Sequence, residues 1–293
     1  LDEEYGLFNI SLIQKLPKGF VLKNSKSEVF VNMPGVFLGN NNKIDAFGVS
    51  KTEVSNIEYK EFINKGGYEN PDFWDFPISI NGKKYSFKNT IGLFTDKFGK
   101  FGPKNWTYGD FPDGEENFPV NGISWFEAKA YAKFRGLSLP NIFQWIDAAQ
   151  LSGLIMKLPD INGSNYNTSK PRQVNLQLNE SGLLPNIAGN VREWVINSHG
   201  QDRKAILGGS YGTNEYTFNS FYSLSPFNRS LQNGLRLVKN FEKNFSYNDT
   251  IKVKHIERNF RLEKNVSDEV FEVYKSQFDY PNTPLNVQVN KIE

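Results

Sequence analysis

"FPVNGISWFEAKAYAKFRGLSLPNIFQWIDAAQ", residues 118–150, decides how the rest of this chain is read. It holds two helix starts: Ser124 followed three residues on by Glu127, and Asn141 followed by Gln144. In each, a short polar side chain can take an orphan amide while the third-position Glu or Gln reaches back, the logic of a capping box. Trp125, Ala128, Ala132 and Phe134 then recur at helical spacing, and Gly136 can end the first helix. Ile142, Trp145, Ile146 and Ala149 make the second amphipathic. A third start, Ser55 with Glu58, precedes a helix with Ile57, Phe62 and Ile63 on one face. Three short helices are therefore expected, with Trp106, Trp125, Trp145 and Trp194 in the core.

Working outward, "VFVNMPGVFLGNNNKIDAFGVSKTEVSN", 29–56, reads as two short strands with a turn at Asn40–Asn42. Residues 66–118 and 150–190 have little periodicity. Structureless connections of that length are uncommon in a compact domain, so aromatic packing or metal ions must pin them. After Lys239 the chain turns charged and extended. "SDEVFEVYKSQF", 267–278, then reads as a helix capped by Ser267, with Asp268 and Glu269 in its first turn. The organisation expected is an N-terminal extension (1–30), one domain (31–243) and a charged connector with a short helix (244–293).

Composition narrows the chemistry. Across 293 residues, 34 Lys plus Arg against 32 Asp plus Glu leave a net charge of +2, so nothing points to nucleic acid as partner. There is no cysteine, which removes disulfides, thiolate metal sites and cysteine nucleophiles together. The two histidines, His199 and His255, cannot build a three-His metal site. No apolar run approaches the ~18 residues needed to span a bilayer, so no transmembrane segment is expected. The chain begins at Leu1 without a signal-peptide pattern and reads as a mature form or an excised piece. Glycosylation sequons at Asn105, Asn162, Asn167, Asn228 and Asn248 read as the by-product of an Asn-rich composition. The compartment is not named by the sequence, a periplasmic, cell-envelope or secreted setting being slightly favoured.

"GGSYG", 208–212, spells the G-x-S-x-G of a hydrolase nucleophile elbow. An elbow needs a strand, a sharp turn and then a helix. "KAIL", 204–207, can be the strand, but "TNEYTF", 213–218, alternates polar and apolar like another strand. Neither histidine sits in a recognisable motif beside Ser210, so a serine nucleophile lacks its base. The glycines more plausibly let backbone pass close to its neighbours.

Three segments in order are specific: residues 118–150, "NIAGNVREWV" at 186–195, and "ILGGSYG…SPFNRSLQNGLRLV" at 206–238. Together they resemble the formylglycine-generating enzyme, or sulfatase-modifying factor, family. That family shows a PV-x-x-V-S-W helix, an L-P-T-E-x-E-W helix, a G-N-x-W-E-W strand, a G-G-S-W/Y strand and a closing G-F-R. "NKGGYENPDFW" and "FGPKNWTYGDFPDG" look like the version of the domain found in large bacterial multidomain proteins. The resemblance implies an irregular α+β fold of C-type-lectin-like type, low in regular secondary structure, with short antiparallel strands. It also implies that the two copper-binding cysteines of active members fall on Thr213 and Phe218, neither of which can hold copper. A second branch of the superfamily uses a histidine-held iron, for which His199 and His255 are poorly placed. Family members hold a structural calcium ion at positions that match Asn186 and Glu193 by side chain and Gly189 and Val191 by carbonyl. Such alternating oxygen donors suit calcium. The other reading is that Asn186 makes a turn and Glu193 pairs with Arg192 or Arg236. Arg236 matches the G-F-R arginine, with Leu235 in place of Phe. It and Arg229 are either anion-recognising or buried and satisfied by carbonyls.

Three functions follow as expectations. The first is a catalytically inactive domain that binds or scaffolds a protein or peptide within a larger, bacterial protein. The second is an enzyme using a non-heme metal with His199, Asp202 or Glu215. The third is a lectin-like module recognising peptide or glycan through residues 66–118 and 150–180.

Overall fold

Each of the three expected helix starts is built as its capping chemistry dictates. We describe a computed structural model over residues 10–23, 28–29, 36–37, 42–80, 82–149, 164–175, 184–200, 202–218, 220–241, 250–255, 261 and 267–277. The helices are α1 (Asn56–Asn64), α2 (Trp125–Phe134) and α3 (Ile142–Ala148). At α1 the Glu58 carboxylate accepts from the Ser55 amide at 2.9 Å. At α2, Ser124 Oγ accepts from the Glu127 amide (3.2 Å) and the Glu127 carboxylate accepts from the Ser124 amide (2.8 Å). At α3, Asn141 and Gln144 exchange the same pair of bonds at 2.9 and 3.0 Å. Gly136, at φ +64°, ends α2 in the left-handed conformation that glycine tolerates. One expected face is corrected. Ile57 is exposed, and the inward residues of α1 are Asn56, Tyr59 and Phe62. Asn56 turns inward because its side-chain amide donates to the Glu115 carbonyl at 2.8 Å.

Two sheets carry the framework. Strands β1 (Phe20–Lys23) and β2 (Phe47–Ser50) pair antiparallel, and β7 (Val238–Asn240) pairs antiparallel on the other side of β2. The larger sheet contains β3 (Arg192–His199), β4 (Arg203–Leu207), β5 (Tyr222–Leu224) and β6 (Asn233–Gly234), ordered β5-β4-β3-β6. Its pairs are antiparallel except β6 on β3, and the β3–β4 register shifts between Trp194 and Ser198. The mixture of few short helices and small sheets is an α+β fold. The segment 29–56 pairs across the expected turn only at its start, and its other described strands pair elsewhere. Val36–Phe37 pairs with Lys254–His255, and Asn42–Lys43 with Glu28–Val29, while Asn40 and Asn41 of the expected turn lie outside the described residues. The stretch 213–218, read as a strand, is instead a turn followed by a single 3-10 turn, Glu215–Thr217. The Thr213 and Thr217 hydroxyls satisfy local backbone groups there, and that competes with a ladder.

The chain divides into two compact units, Leu1–Ile256 and Glu257–Glu293. The first runs past the boundary expected near residue 243, because Lys254–His255 is paired with Val36–Phe37 and Val253 is buried. In the second, Asp268–Gln277 is the helix expected after Ser267, whose Oγ accepts from the Val270 amide at 3.4 Å. No helix among the described residues is long and apolar enough to cross a membrane.

The long connection 66–118 is held by aromatic rings, as its composition requires. Tyr68 stacks on Phe101 (5.5 Å), Trp74 on Phe94 (5.3 Å), and Phe94 on Phe227 (6.2 Å). A buried ion pair completes the clamp. Glu127, which already caps α2, is ion-paired with Arg229, whose Nη2 donates to it at 3.0 Å, and accepts from the Tyr68 hydroxyl at 2.8 Å. The rest of the Arg229 guanidinium donates to the carbonyls of Thr95 (2.7 Å) and Gly102. One carboxylate thus ends a helix and, through Arg229, holds a loop some thirty residues upstream. Removing one member of a buried pair leaves an uncompensated charge, at a cost of about 3–5 kcal/mol. Glu127→Gln is therefore expected to lower the free energy of unfolding by about that amount. Hydrogen exchange should show protection lost first at the amides of residues 94–102. A variant of wild-type stability in denaturant would contradict the clamp.

Candidate functional site

The segment "NIAGN", 186–190, bends into place with three left-handed residues: Asn186 (φ +58°), Gly189 (φ +79°) and Asn190 (φ +55°). Asn and Gly are the residues that enter this region at least cost. At Gly189 nothing else fits, since a Cβ would lie 2.5 Å from the Asn165 carbonyl oxygen. This bend feeds β3 and delivers its first residues, Arg192 and Glu193, to opposite faces of the sheet.

Glu193 points inward, where it is fully buried. One of its oxygens accepts from Trp145 Nε1 at 2.8 Å and the other from Arg236 Nε at 2.9 Å. Arg236 is itself buried and donates onward to the carbonyls of Ser50 (2.9 Å), Lys51 (2.8 Å) and Pro185 (3.0 Å). A second acid, Glu53, lies in the same interior. Its carboxylate accepts from the side-chain amides of Asn186 (3.1 Å) and Asn190 (3.0 Å). One buried guanidinium therefore faces two buried carboxylates, and its direct contact goes to Glu193. Burial, followed by the weaker repulsion from Glu193, lifts Glu53 from the ordinary 4.5 up to about 8 against the pull of Arg236. Burial also raises Glu193.

The four positions expected to hold calcium do not present an open shell. Both Glu193 oxygens are taken by Trp145 and Arg236. Asn186 Oδ1 accepts from Arg172 Nε at 2.7 Å, and its amide nitrogen serves Glu53. Gly189 and Val191 contribute backbone to the bend and to the start of β3. As arranged, the Glu193 and Asn186 side chains are engaged by protein partners, which an ion taking six to eight oxygen ligands would have to share or displace. The positive charge that such an ion would bring is supplied by Arg236 and Arg172. Arg229 and Arg236 are likewise both buried and engaged with carboxylates and carbonyls, as the second of the two readings holds.

The positions that match the family's cysteines are filled by structure. Thr213 Oγ1 accepts from the Ser210 amide and donates to the Ser210 carbonyl, both at 2.9 Å, closing the turn after "GGSYG". Phe218 is buried with its ring 6.0 Å from that of Trp145. Ser210 is buried, and His199 lies against Ser223 (Nδ1 to Oγ 2.9 Å) and Phe221, so no Ser210–His199 dyad forms. The side chain of His255 lies outside the described residues. Glu215 is exposed in its 3-10 turn, and Asp202 follows β3. Among the described residues no three His, Asp or Glu side chains are gathered so as to hold a metal. Sequence reasoning missed Glu53 and treated Arg192 only as a partner for Glu193. A buried Glu on a loop leaves no periodic signal. Arg192 was signalled, since it stands where the family pattern has Trp.

The paired acids make stability depend on pH. In the fold Glu53 keeps its proton to about pH 8, whereas in the unfolded chain it releases it near 4.5. Its contribution is therefore complete below about 4.5 and is lost as pH rises towards about 8. Glu193 acts in the same direction. In Glu53→Gln the decline of Tm across this window should be smaller than in the wild type. Superimposable Tm-against-pH curves would place the titration elsewhere.

This geometry has known counterparts. Residues 31–241 match the model of the sulfatase-modifying factor enzyme 1-like domain. A hercynine oxygenase of Mycolicibacterium smegmatis is 28% identical over 102 residues, which is 35% of this chain and 22% of that protein. The formylglycine-generating enzyme of Bos taurus is 31% identical over 111 residues, 35% of this chain and 30% of that protein. The chain thus spans under a third of the length of these relatives. Among solved structures, that of CarF superposes with a TM-score of 0.52 at 17% identity, covering 78% of this chain and all of that one. With residues 31–241, more than half its length, matched by the family model, the chain belongs to the sulfatase-modifying factor enzyme 1-like domain family.

Proposed function

We propose that this chain is a member of its family that does not oxidise cysteine, and that it binds a protein or peptide within a larger, bacterial, multidomain protein. One observation carries the reading. The two positions aligned with the family's copper ligands hold a threonine locked into a turn and a phenylalanine packed on Trp145, in a chain with no cysteine at all. Cu(I) selects soft thiolate or thioether donors, and neither side chain offers one. An oxygenase reading draws on the relatives named hercynine oxygenase. The placement of His199 against Ser223 and Phe221, away from any gathered acid pair, weighs against it. The polar interior at Glu53, Glu193 and Arg236 is then a structural device that needs no calcium.

Two outcomes test this. Incubated with Cu(I), oxygen and a cysteine peptide, the chain should yield no formylglycine, and measurable turnover would end the reading. Treatment with a chelator should leave Tm unchanged, because the acids are neutralised by arginine and by a proton. A fall in Tm that added calcium reverses would restore the ion to the Asn186–Glu193 bend.

A further inference from the structure

Arg192 is a cation with no hydrogen-bonding or charged partner among the described residues. It opens β3 on the face opposite Glu193. Its side chain is half-buried, and its Nε is fully buried with no acceptor. Among the described residues its guanidinium makes no hydrogen bond and no ion pair. Its one contact of note is with the Tyr222 ring, 5.9 Å away. Every other buried arginine described above has a carboxylate, a side-chain amide oxygen or carbonyls to serve. Leaving a guanidinium partly desolvated and unpaired is costly, so its retention calls for a reason.

The surroundings supply one. Arg192 lies beside the turn where the family places its chemistry. The Tyr211 amide donates to the Asn190 carbonyl at 2.8 Å, and the Arg192 amide to the Gln232 carbonyl at 2.7 Å. Gly212 sits against the Gln232 side chain, because a Cβ there would lie 2.7 Å from Nε2. Tyr211, Tyr222 and Gln232 are each half-buried, and Gly212 is exposed, so this surface is open to a ligand. Burial lowers the Arg192 value, with Tyr222 and Tyr211 acting in the opposite direction. Among the described residues no acid pairs with it. The surface therefore carries one uncompensated positive charge, flanked by two phenols and an amide that can donate.

We propose that Arg192, with Tyr211, Tyr222 and Gln232, forms a binding site for a carboxylate monoanion carried by a peptide, either a free C-terminus or an Asp or Glu side chain. A planar guanidinium pairs with a planar carboxylate through two parallel bonds. A single positive charge matches a monoanion, whereas a phosphate dianion would call for a second cation. The inference deepens the binding role proposed above by naming the ligand chemistry. It is tested without copper or oxygen, so the two fail separately.

The test is a titration of the intact chain followed by the Nε–Hε NMR signal of Arg192, assigned by its disappearance in Arg192→Lys. Three probes are used: acetylated glycyl-phenylalanine with a free carboxylate, its amide, and an acetylated aspartyl-phenylalanine amide. Inorganic phosphate is the fourth. The signal should shift with either carboxylate peptide and not with the neutral amide. A response to one of the two identifies the source of the carboxylate. Arg192→Gln should weaken binding by about tenfold or more, and Arg192→Lys by less, since it keeps the charge but not the fork. Neither should lower Tm, because the arginine holds nothing in the fold. No shift with either acid, an equal shift with the amide, a preference for phosphate, or a destabilised Arg192→Gln protein would each overturn the proposal.

Discussion

Arg236 is the constraint from which the rest of this structure follows. Its guanidinium ties the end of β2 (Ser50 and Lys51) to the loop at Pro185 and to Glu193 on β3. Glu193 in turn holds Trp145 of α3. One side chain therefore joins both sheets, a helix and a loop. A fold with little regular structure cannot leave such joins to backbone ladders. It uses buried charge, fully hydrogen-bonded, where an ordinary domain would use a longer sheet. The same solution recurs at Glu127 and Arg229, where a helix cap is also the anchor of a distant loop. Buried pairs of this sort specify geometry more than they add stability. That suits a scaffold whose long connections have few other means of registering on the core.

The economy of the arrangement has a consequence for the second acid. Arg236 can neutralise one carboxylate by direct contact, and Glu193 has it. Glu53 is left with two asparagine amides and a proton. This interior balances its charge with arginine and hydrogen. The side-chain oxygens that the sequence offers for a cation, on Asn186 and Glu193, are engaged by Arg172, Trp145 and Arg236.

The site around this frame departs from the family pattern that the sequence resembles. Where the family pattern has cysteine, Thr213 closes a turn and Phe218 joins the core against Trp145. Where it has tryptophan ahead of the glutamate, Arg192 brings a charge to the open side of the same strand. The period-two geometry of β3 separates these roles cleanly. Glu193 and Arg192 are neighbours in sequence, yet one serves the interior and the other the surface. A framework acid and a ligand-facing cation can thus change independently across a single peptide bond.

Much of the frame was legible in the residues. Ser55, Ser124 and Asn141 announced their helices through local capping chemistry, which acts over three residues and needs no tertiary context. The absence of cysteine excluded thiolate chemistry outright. Left-handed turns at Asn186, Gly189 and Asn190 were open to those residue types and to few others. The tertiary structure decided what depends on contacts far apart in the chain. It turned Ile57 outward and Tyr59 inward, and it made 213–218 a turn where alternation suggested a strand. It also gave both Glu193 oxygens to Trp145 and Arg236, and left Arg192 unpaired among the described residues. Pairing between residues forty to one hundred positions apart leaves no periodic trace, because the choice among several buried acids and bases is made by distance in the folded interior.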